Sequence, residues 1–163
     1  MTTVIVQQCH AQEDSSRRIE TIAQFINDLR NGKSNPEVFR KYLSSHGDFS
    51  NDTVRSTANG FTDLLRASVQ ASKPGDVQIY SYTSHPETTE RLKAIDDPAN
   101  DAEPVPLEFT LDTTGHKSVD VDTDDVYVLK LPEERIFVLF NGQDKIITWF
   151  AVQWRHRVSL VGF

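Results

Sequence analysis

In the first half of the chain, apolar residues recur at the spacing of amphipathic helices. The first stripe consists of Ile19, Ile22, Phe25, Ile26 and Leu29. Asn31-Gly32 follows this stripe, where a left-handed cap residue is expected. A short second helix is predicted after Asn35-Pro36, with Asn35 as the N-cap and the proline at the first helical position.

A long third helix is predicted from Asn51 or Asp52 to the break at Lys73-Pro74-Gly75. Its buried side consists of Val54, Ala58, Phe61, Leu65 and Val69. Gly60 lies inside this helix at a cost in helix propensity. We expect this glycine to permit close packing of a neighbour.

In the second half of the chain the apolar period changes to two, which is typical of strands. A first strand is predicted over residues 77–83, with Tyr80 and Tyr82 on the same face. In a second strand, polar residues alternate with the apolar residues Val105, Leu107, Phe109 and Leu111. Because Pro106 cannot donate to a ladder, this strand lies at a sheet edge or begins at the proline. A third strand is predicted over residues 126–131.

Residues 135–140 and 146–154 are predicted to form a long antiparallel hairpin across Asn141-Gly142, because Asn and Gly tolerate the positive φ of tight turns. One face is expected to carry Phe137, Leu139, Ile147 and Trp149, and the other to include residues among Phe140, Ile146, Thr148 and Phe150. A sheet with one face in water would not tolerate two apolar faces. We therefore expect one face to meet the helices and the other a partner subunit. Residues 158–163 extend the last strand or form a further short one.

The remaining segments complete the predicted organisation. Ser84-His85-Pro86-Glu87 fits a capping pattern and predicts a short surface helix, and the acidic residues 96–104 predict a solvated loop. We assign residues 1–15 to a flexible N-terminal segment and residues 16–163 to a single domain, the default for a chain of 163 residues. Helices followed by strands indicate the α+β class, with the N-terminal helices packed on an antiparallel sheet.

Composition narrows the classes of function. The net charge of -7 argues against nucleic-acid binding, and the basic cluster Arg155-His156-Arg157 is interpreted as the solvated end of a strand. Cys9 is the single cysteine, so neither an intrachain disulfide nor a thiolate metal cage is predicted. The apolar run Val4-Ile5-Val6 is too short for a signal peptide, and no stretch is apolar enough to span a membrane. A cytoplasmic location is therefore expected, although a chain trimmed of its leader would look the same.

The order of elements carries a resemblance. Two helices, a link containing Gly47-Asp48-Phe49, a long third helix and antiparallel strands ending in a hairpin resemble the nuclear-transport-factor-2-like superfamily, with its ketosteroid isomerase and SnoaL-like groups. The similarity spans residues 16–154 and depends chiefly on residues 39–49 and 136–149. It implies that the sheet curls around the helices into a cone, a cystatin-like roll with one apolar pocket. It also implies a homodimer through the outer sheet face.

The resemblance also implies candidate catalytic residues. Its enzymes place an acidic base near the link before the third helix, where this chain has Asp48 with His46 close by. Burial against Phe49 or Tyr42 would raise the pKa of such a carboxyl group and suit it to take a proton from carbon. In the alternative interpretation, Asp48 caps the third helix and faces water, and His46 is exposed.

Pocket-lining candidates follow from the same resemblance. They are Tyr42, Phe61, Tyr80, Tyr82, Phe109 and Trp149. A phenol such as Tyr80 or Tyr82 could donate to a developing oxyanion, whereas ordinary aromatic packing with the hydroxyl at the sheet rim is the alternative.

No metal site or cofactor is predicted. The five histidines lack ligand spacing. The acidic run at residues 120–125 fails the EF-hand pattern, since Asp125 replaces the glycine and Leu131 the bidentate glutamate. The predicted function is binding of a small hydrophobic molecule in the pocket. The alternatives are a cofactor-independent isomerase, lyase or cyclase using acid–base chemistry, and a non-catalytic dimerisation or assembly module.

Overall fold

The computed structural model describes residues 4–44, 52–85, 106–112, 117–154 and 157–162. These residues form the helices α1 (Val4–Arg30), α2 (Asn35–Tyr42) and α3 (Asp52–Ala71). They also form the strands β1 (Gln78–Ser81), β2 (Glu108–Asp112), β3 (Ser118–Asp120), β4 (Val126–Lys130), β5 (Arg135–Phe140), β6 (Ile146–Thr148), β7 (Ala151–Trp154) and β8 (Arg157–Val161). The chain is α+β, with helices first and strands afterwards, as predicted.

The first helix ends where its sequence predicted. Gly32 has a φ of 76°, and its N–H donates to the Leu29 carbonyl at 3.1 Å, so it is the left-handed cap. α1 begins at Val4 and includes residues 4–15, which were predicted to form a flexible segment ahead of the domain. The division of the chain at residue 15 stays a prediction.

The cap of the second helix is Ser34, so the prediction of Asn35 was wrong by one residue. The Glu37 carboxylate accepts from the Ser34 N–H at 3.0 Å. The Asn35 amide nitrogen donates instead to Asn59 at 3.1 Å and to Asp63 at 3.0 Å. Asn35 therefore links α2 to α3.

The third helix buries the predicted stripe around Ala58, Leu65 and Val69. Among the described residues, Gly60 does not have the close neighbour that was expected. Gly60 is exposed, and no described atom lies within 4 Å of the position that a Cβ would take. The glycine therefore lowers helix propensity without permitting any close contact among the described residues.

The strands form two four-stranded sheets. The first has the order β1-β4-β5-β6 and is antiparallel, and the second has the order β3-β2-β8-β7. β2 and β8 run parallel, with Phe109 opposite Val158 and Leu111 opposite Leu160. A purely antiparallel sheet was therefore the wrong expectation. β2 lies between β3 and β8 and begins two residues after Pro106, so of the two predicted alternatives the structure agrees with a start near the proline and not with an edge strand.

The first sheet lies between the helices and the second sheet, because its strands alternate between two hydrophobic clusters. Tyr127 and Leu129 pack against α1, α2 and α3 in the first cluster. Val126 and Val128 join Phe109, Val158 and Leu160 of the second sheet in the other. The molecule thus has a helix layer and two sheet layers.

The C-terminal hairpin is shorter than predicted. Its second arm, β6, ends at Thr148, and residues 151–154 form β7 in the second sheet. Thr148 marks this change of sheet, because its Oγ1 donates to the Val161 carbonyl of β8 at 2.6 Å and accepts from the Phe150 N–H at 3.1 Å. In the turn, the positive φ belongs to Asp144 (58°) and not to Asn141 or Gly142, so the turn mechanism predicted from Asn-Gly was wrong.

The prediction of which hairpin residues share a face was confirmed in part. Phe137, Leu139 and Ile147 do share the cluster between the sheets. Trp149 was expected beside them and instead packs on the helix side, because regular alternation stops at Thr148. The face expected to meet a partner subunit is covered by the second sheet of the same chain. A homodimer stays a prediction and would need another surface.

Other predictions fall partly outside the described residues. Ser84 lies in a 3-10 turn over Tyr82–Ser84 that His85 caps, whereas the rest of the predicted surface helix from Pro86 and the loop at 96–104 lie outside them. Val158 belongs to a separate strand, β8, which is one of the two predicted alternatives. The described helices include none with the length and apolarity that a membrane span requires. The resemblance to the nuclear-transport-factor-2-like superfamily, with its cone shape, stays a prediction.

Candidate functional site: a groove beside the third helix

The structure does not bring the predicted pocket residues into one cavity. Tyr42 and Trp149 lie in the helix-side cluster, with ring centroids 5.4 and 5.1 Å from that of Phe25. Tyr80, Tyr82 and Phe109 belong to the cluster between the two sheets. Phe61 is half-buried on α3. The catalytic candidates Asp48 and His46 lie outside the described residues.

Tyr42 has a structural hydrogen bond. Its hydroxyl donates to Asp28 Oδ2 at 2.7 Å, and Lys41 Nζ donates to the same oxygen at 2.9 Å. The hydrogen bond from Tyr42, together with that from Lys41, lowers the pKa of Asp28. Burial raises the pKa of Tyr42, which therefore remains a protonated donor at neutral pH. The pair joins α1 to the end of α2.

Tyr80 and Tyr82 both join the cluster between the sheets, but the predicted strand over residues 77–83 ends at Ser81, and Tyr82 lies in the 3-10 turn that follows. The Tyr82 hydroxyl accepts from the Leu107 N–H at 3.2 Å, and its ring packs edge-on against Phe109 at 4.8 Å. The Tyr80 ring stacks on His85 with centroids 4.5 Å apart. The Tyr82 hydroxyl thus anchors the segment that leads into β2.

A groove of about 290 Å³ runs along α3 beside the first residues of β5 and the chain from β6 to β7. Its lining consists of Phe61, Leu64, Leu65, Ser68, Glu134, Arg135, Ile136, Phe137, Trp149, Phe150, Ala151 and Gln153. Phe61 and Trp149 are the two predicted pocket residues that it includes. Most of the lining is apolar, and the polar groups are few, as in a typical small-molecule site.

One face of α3 forms a wall of the groove. Phe61, Leu64, Leu65 and Ser68 recur at i, i+3, i+4 and i+7, so they share one face of α3. Leu65 is buried under the groove, whereas Leu64 leaves 66% of its surface in solvent, which is high for a large apolar residue. This wall therefore offers apolar surface that the described residues leave uncovered.

The opposite wall is the segment of chain that crosses from β6 in the first sheet to β7 in the second sheet. The Phe150 ring stacks on Phe61 with centroids 3.7 Å apart and ring planes 18° apart. Both rings are half-buried. Trp149, the preceding residue, points toward the helices and forms part of the groove floor at 5% exposure. The stacked pair thus joins α3 to the crossing and defines the width of the groove.

Two charged residues lie at the end of the groove formed by β5. Arg135 is half-buried, with its guanidinium carbon 5.1 Å from the Phe137 ring centre, and it forms no ion pair with any residue that the structure describes. Glu134 is exposed. Across the strand pair, the residue in register with Arg135 is Lys130, which has the same charge. Arg135 is therefore the polar group of the groove best placed to receive an anion.

Sequence reasoning missed Leu64, Arg135 and Phe150 as site residues. The helical spacing of Leu64 with Phe61 was visible in the sequence, but its partner wall lies about ninety residues further along the chain. Nothing in a strand pattern indicates that a crossing between two sheets will lie against that helix.

Within the described ranges, no group of three or more His, Cys, Asp and Glu side chains is arranged to hold a metal ion. The acidic residues at 122–125 have other partners: Asp122 accepts from the Asp124 N–H at 3.0 Å, and Asp125 binds Arg18 at 2.7 Å. Comparison of the chain with protein-family models, with curated proteins and with solved structures gives no match.

Proposed function

We propose that the chain binds a small, largely apolar molecule in the groove between α3 and the crossing from β6 to β7. The observation that carries the proposal is the exposed Leu64 beside the half-buried Phe61–Phe150 stack, in a groove of about 290 Å³. A ligand there would remove apolar surface from water, and each 100 Å² of such surface contributes about 2.5 kcal/mol.

Binding is favoured over catalysis because the groove lacks an acid–base pair among its described residues. Its one carboxylate, Glu134, is exposed, and none of its lining residues is a histidine or cysteine. A general base needs a perturbed environment and reach to the substrate. The isomerase, lyase or cyclase alternative depends on Asp48 and His46, and the assembly alternative depends on a surface other than the covered sheet face.

A neutral fluorescent probe tests the proposal. N-phenyl-1-naphthylamine brightens in apolar sites, and Trp149 in the groove floor is a donor for energy transfer to it. The second tryptophan is replaced, Trp154→Phe, so that the transfer reports on Trp149. We expect saturable binding at one site per chain.

Two matched variants locate the probe. Leu64→Glu puts a charge at the groove, and we expect it to weaken binding about tenfold, the equivalent of 1.4 kcal/mol. Val119→Glu makes the same change at another exposed apolar residue, on β3, whose exposure is 54%, and it should leave the affinity unchanged. Absence of saturable binding, or equal effects of the two variants, would reject the groove as the site.

A further inference from the structure

We infer that the ligand of this groove is an organic monoanion, an apolar body with one carboxylate or sulfonate group bound by Arg135. The inference depends on the proposed function and adds the chemical class of the ligand. It begins from Arg135, the half-buried cation at the start of β5.

The half-buried Arg135 has no counter-ion among the residues that the structure describes. Its described neighbours provide an aromatic face, the Phe137 ring at 5.1 Å, and a like charge, Lys130, in the strand register. Two other partly buried cations of this chain have an anionic neighbour: Arg18 binds two aspartates, and Arg66 Nε lies 4.0 Å from Asp63 Oδ1. An anionic group in the groove would give Arg135 the negatively charged partner that those two arginines already have.

The neighbouring charge limits the ligand to a single negative group. Glu134 lines the same end of the groove, and it would repel a dianion such as a phosphate monoester more strongly than a monoanion. A planar carboxylate or a sulfonate can accept two parallel hydrogen bonds from one guanidinium. One guanidinium beside one carboxylate therefore favours a monoanion.

The apolar body of the ligand follows from the rest of the lining. Phe61 and Leu64 on α3, and Phe150 on the crossing, line the same groove as Arg135 of β5. An anion bound to Arg135 would direct its uncharged part onto these side chains. One cation beside an apolar lining suits an aromatic or short aliphatic acid, which has one charged end and one apolar end.

A matched pair of ligands tests the inference. 1-Naphthaleneacetate and 1-naphthaleneacetamide share the ring system and differ in the charge of the terminal group. Each competes with N-phenyl-1-naphthylamine for the wild-type chain at pH 7. We expect the carboxylate to bind about ten- to a hundredfold more tightly, the range given by one charged hydrogen-bonded contact.

Two variants of equal charge assign that preference to Arg135. Arg135→Gln should bring the ratio of the two affinities close to one and leave binding of the neutral probe intact. Lys130→Gln removes the same charge from a residue that does not line the groove, and it should keep the ratio. If Arg135→Gln fails to fold, Arg135→Lys keeps the charge but loses the guanidinium fork, and the ratio should fall below that of the wild type.

The outcomes separate this inference from the proposed function. Failure of the neutral probe to bind the wild type would reject both. Normal probe binding with equal affinities for acid and amide would reject the monoanion alone. The ratio of the acid and amide affinities could drop equally in Lys130→Gln, or stay unchanged in the Arg135 variant that folds. Either result would show that Arg135 does not bind the anion.

Discussion

Replacement of Arg18 by methionine should destabilise the fold strongly, because this side chain joins α1 to the turn before β4 and to the turn between β5 and β6. Its Nε donates to Asp144 at 2.8 Å and its Nη1 to Asp125 at 2.7 Å. The guanidinium carbon lies 5.5 Å from the Phe140 ring centre, and 12% of the side chain is exposed. Burial by itself lowers the pKa of Arg18, but the hydrogen bonds to the two aspartates more than offset it, so the pKa is raised and the group stays charged.

The magnitude follows from the two bonds and from their exposure. Each charge-assisted hydrogen bond contributes about 1.5 to 3 kcal/mol when both groups are shielded. Asp125 and Asp144 keep 36% and 22% of their side-chain surface in solvent, so water replaces part of what Arg18→Met removes. Methionine also retains packing on the aromatic ring. We expect a loss of about 2 to 3 kcal/mol in the free energy of unfolding, or a fall of about 5 to 10 °C in the melting temperature.

Urea denaturation followed by circular dichroism measures the loss, with an unchanged slope as the sign of two-state unfolding. Arg17→Met is the matched control, since Arg17 binds the same Asp144 at 3.2 Å but is 63% exposed. It should cost about 0.5 kcal/mol or less, and this cost should vanish in 1 M salt, unlike that of Arg18→Met. Equal losses for the two variants would refute the argument that burial decides the strength of these ion pairs.

Three further predictions concern stability. Tyr42→Phe removes the hydrogen bond to Asp28 and should cost about 1.5 kcal/mol at pH 7. Because the pKa of Asp28 is lowered in the fold, this contribution is fully present above the unfolded pKa of about 3.9 and is lost as the pH falls below it. The difference in free energy of unfolding between wild type and Tyr42→Phe, measured by urea denaturation, should therefore shrink at low pH. A constant difference down to pH 2 would contradict this prediction. Gly60→Ala should raise the free energy of unfolding by about 1 kcal/mol, because this exposed position of α3 gains helix propensity and the added Cβ meets no described atom. A lower melting temperature would count against this reasoning. Millimolar calcium should leave the melting temperature unchanged, and a rise of several degrees that Asp122→Asn abolishes would show a specific cation site.

The local elements were largely readable from the sequence because their signals are local. The stripe from Ile22 to Leu29 and the left-handed Gly32 determine where α1 packs and where it ends. The β-branched and aromatic residues of β4 and β5 determine two strands with apolar faces on both sides. Short-range periodicity is enough for such assignments, since backbone hydrogen bonding in helices and side-chain alternation in strands repeat within a few residues.

What the sequence by itself determined is therefore the α+β class, the helix stripes and most of the strands. Tertiary structure decided which surface covers each apolar face. The second sheet, and not a partner subunit, covers the outer face at Phe137 and Leu139, because β2 and β8 pair across about fifty residues of chain. It also decided the groove, since the Phe61–Phe150 contact joins residues with no local relation. Such contacts depend on the packing of whole layers, and the hydrophobic effect that drives it is non-directional, so the pattern of apolar residues does not specify their partners.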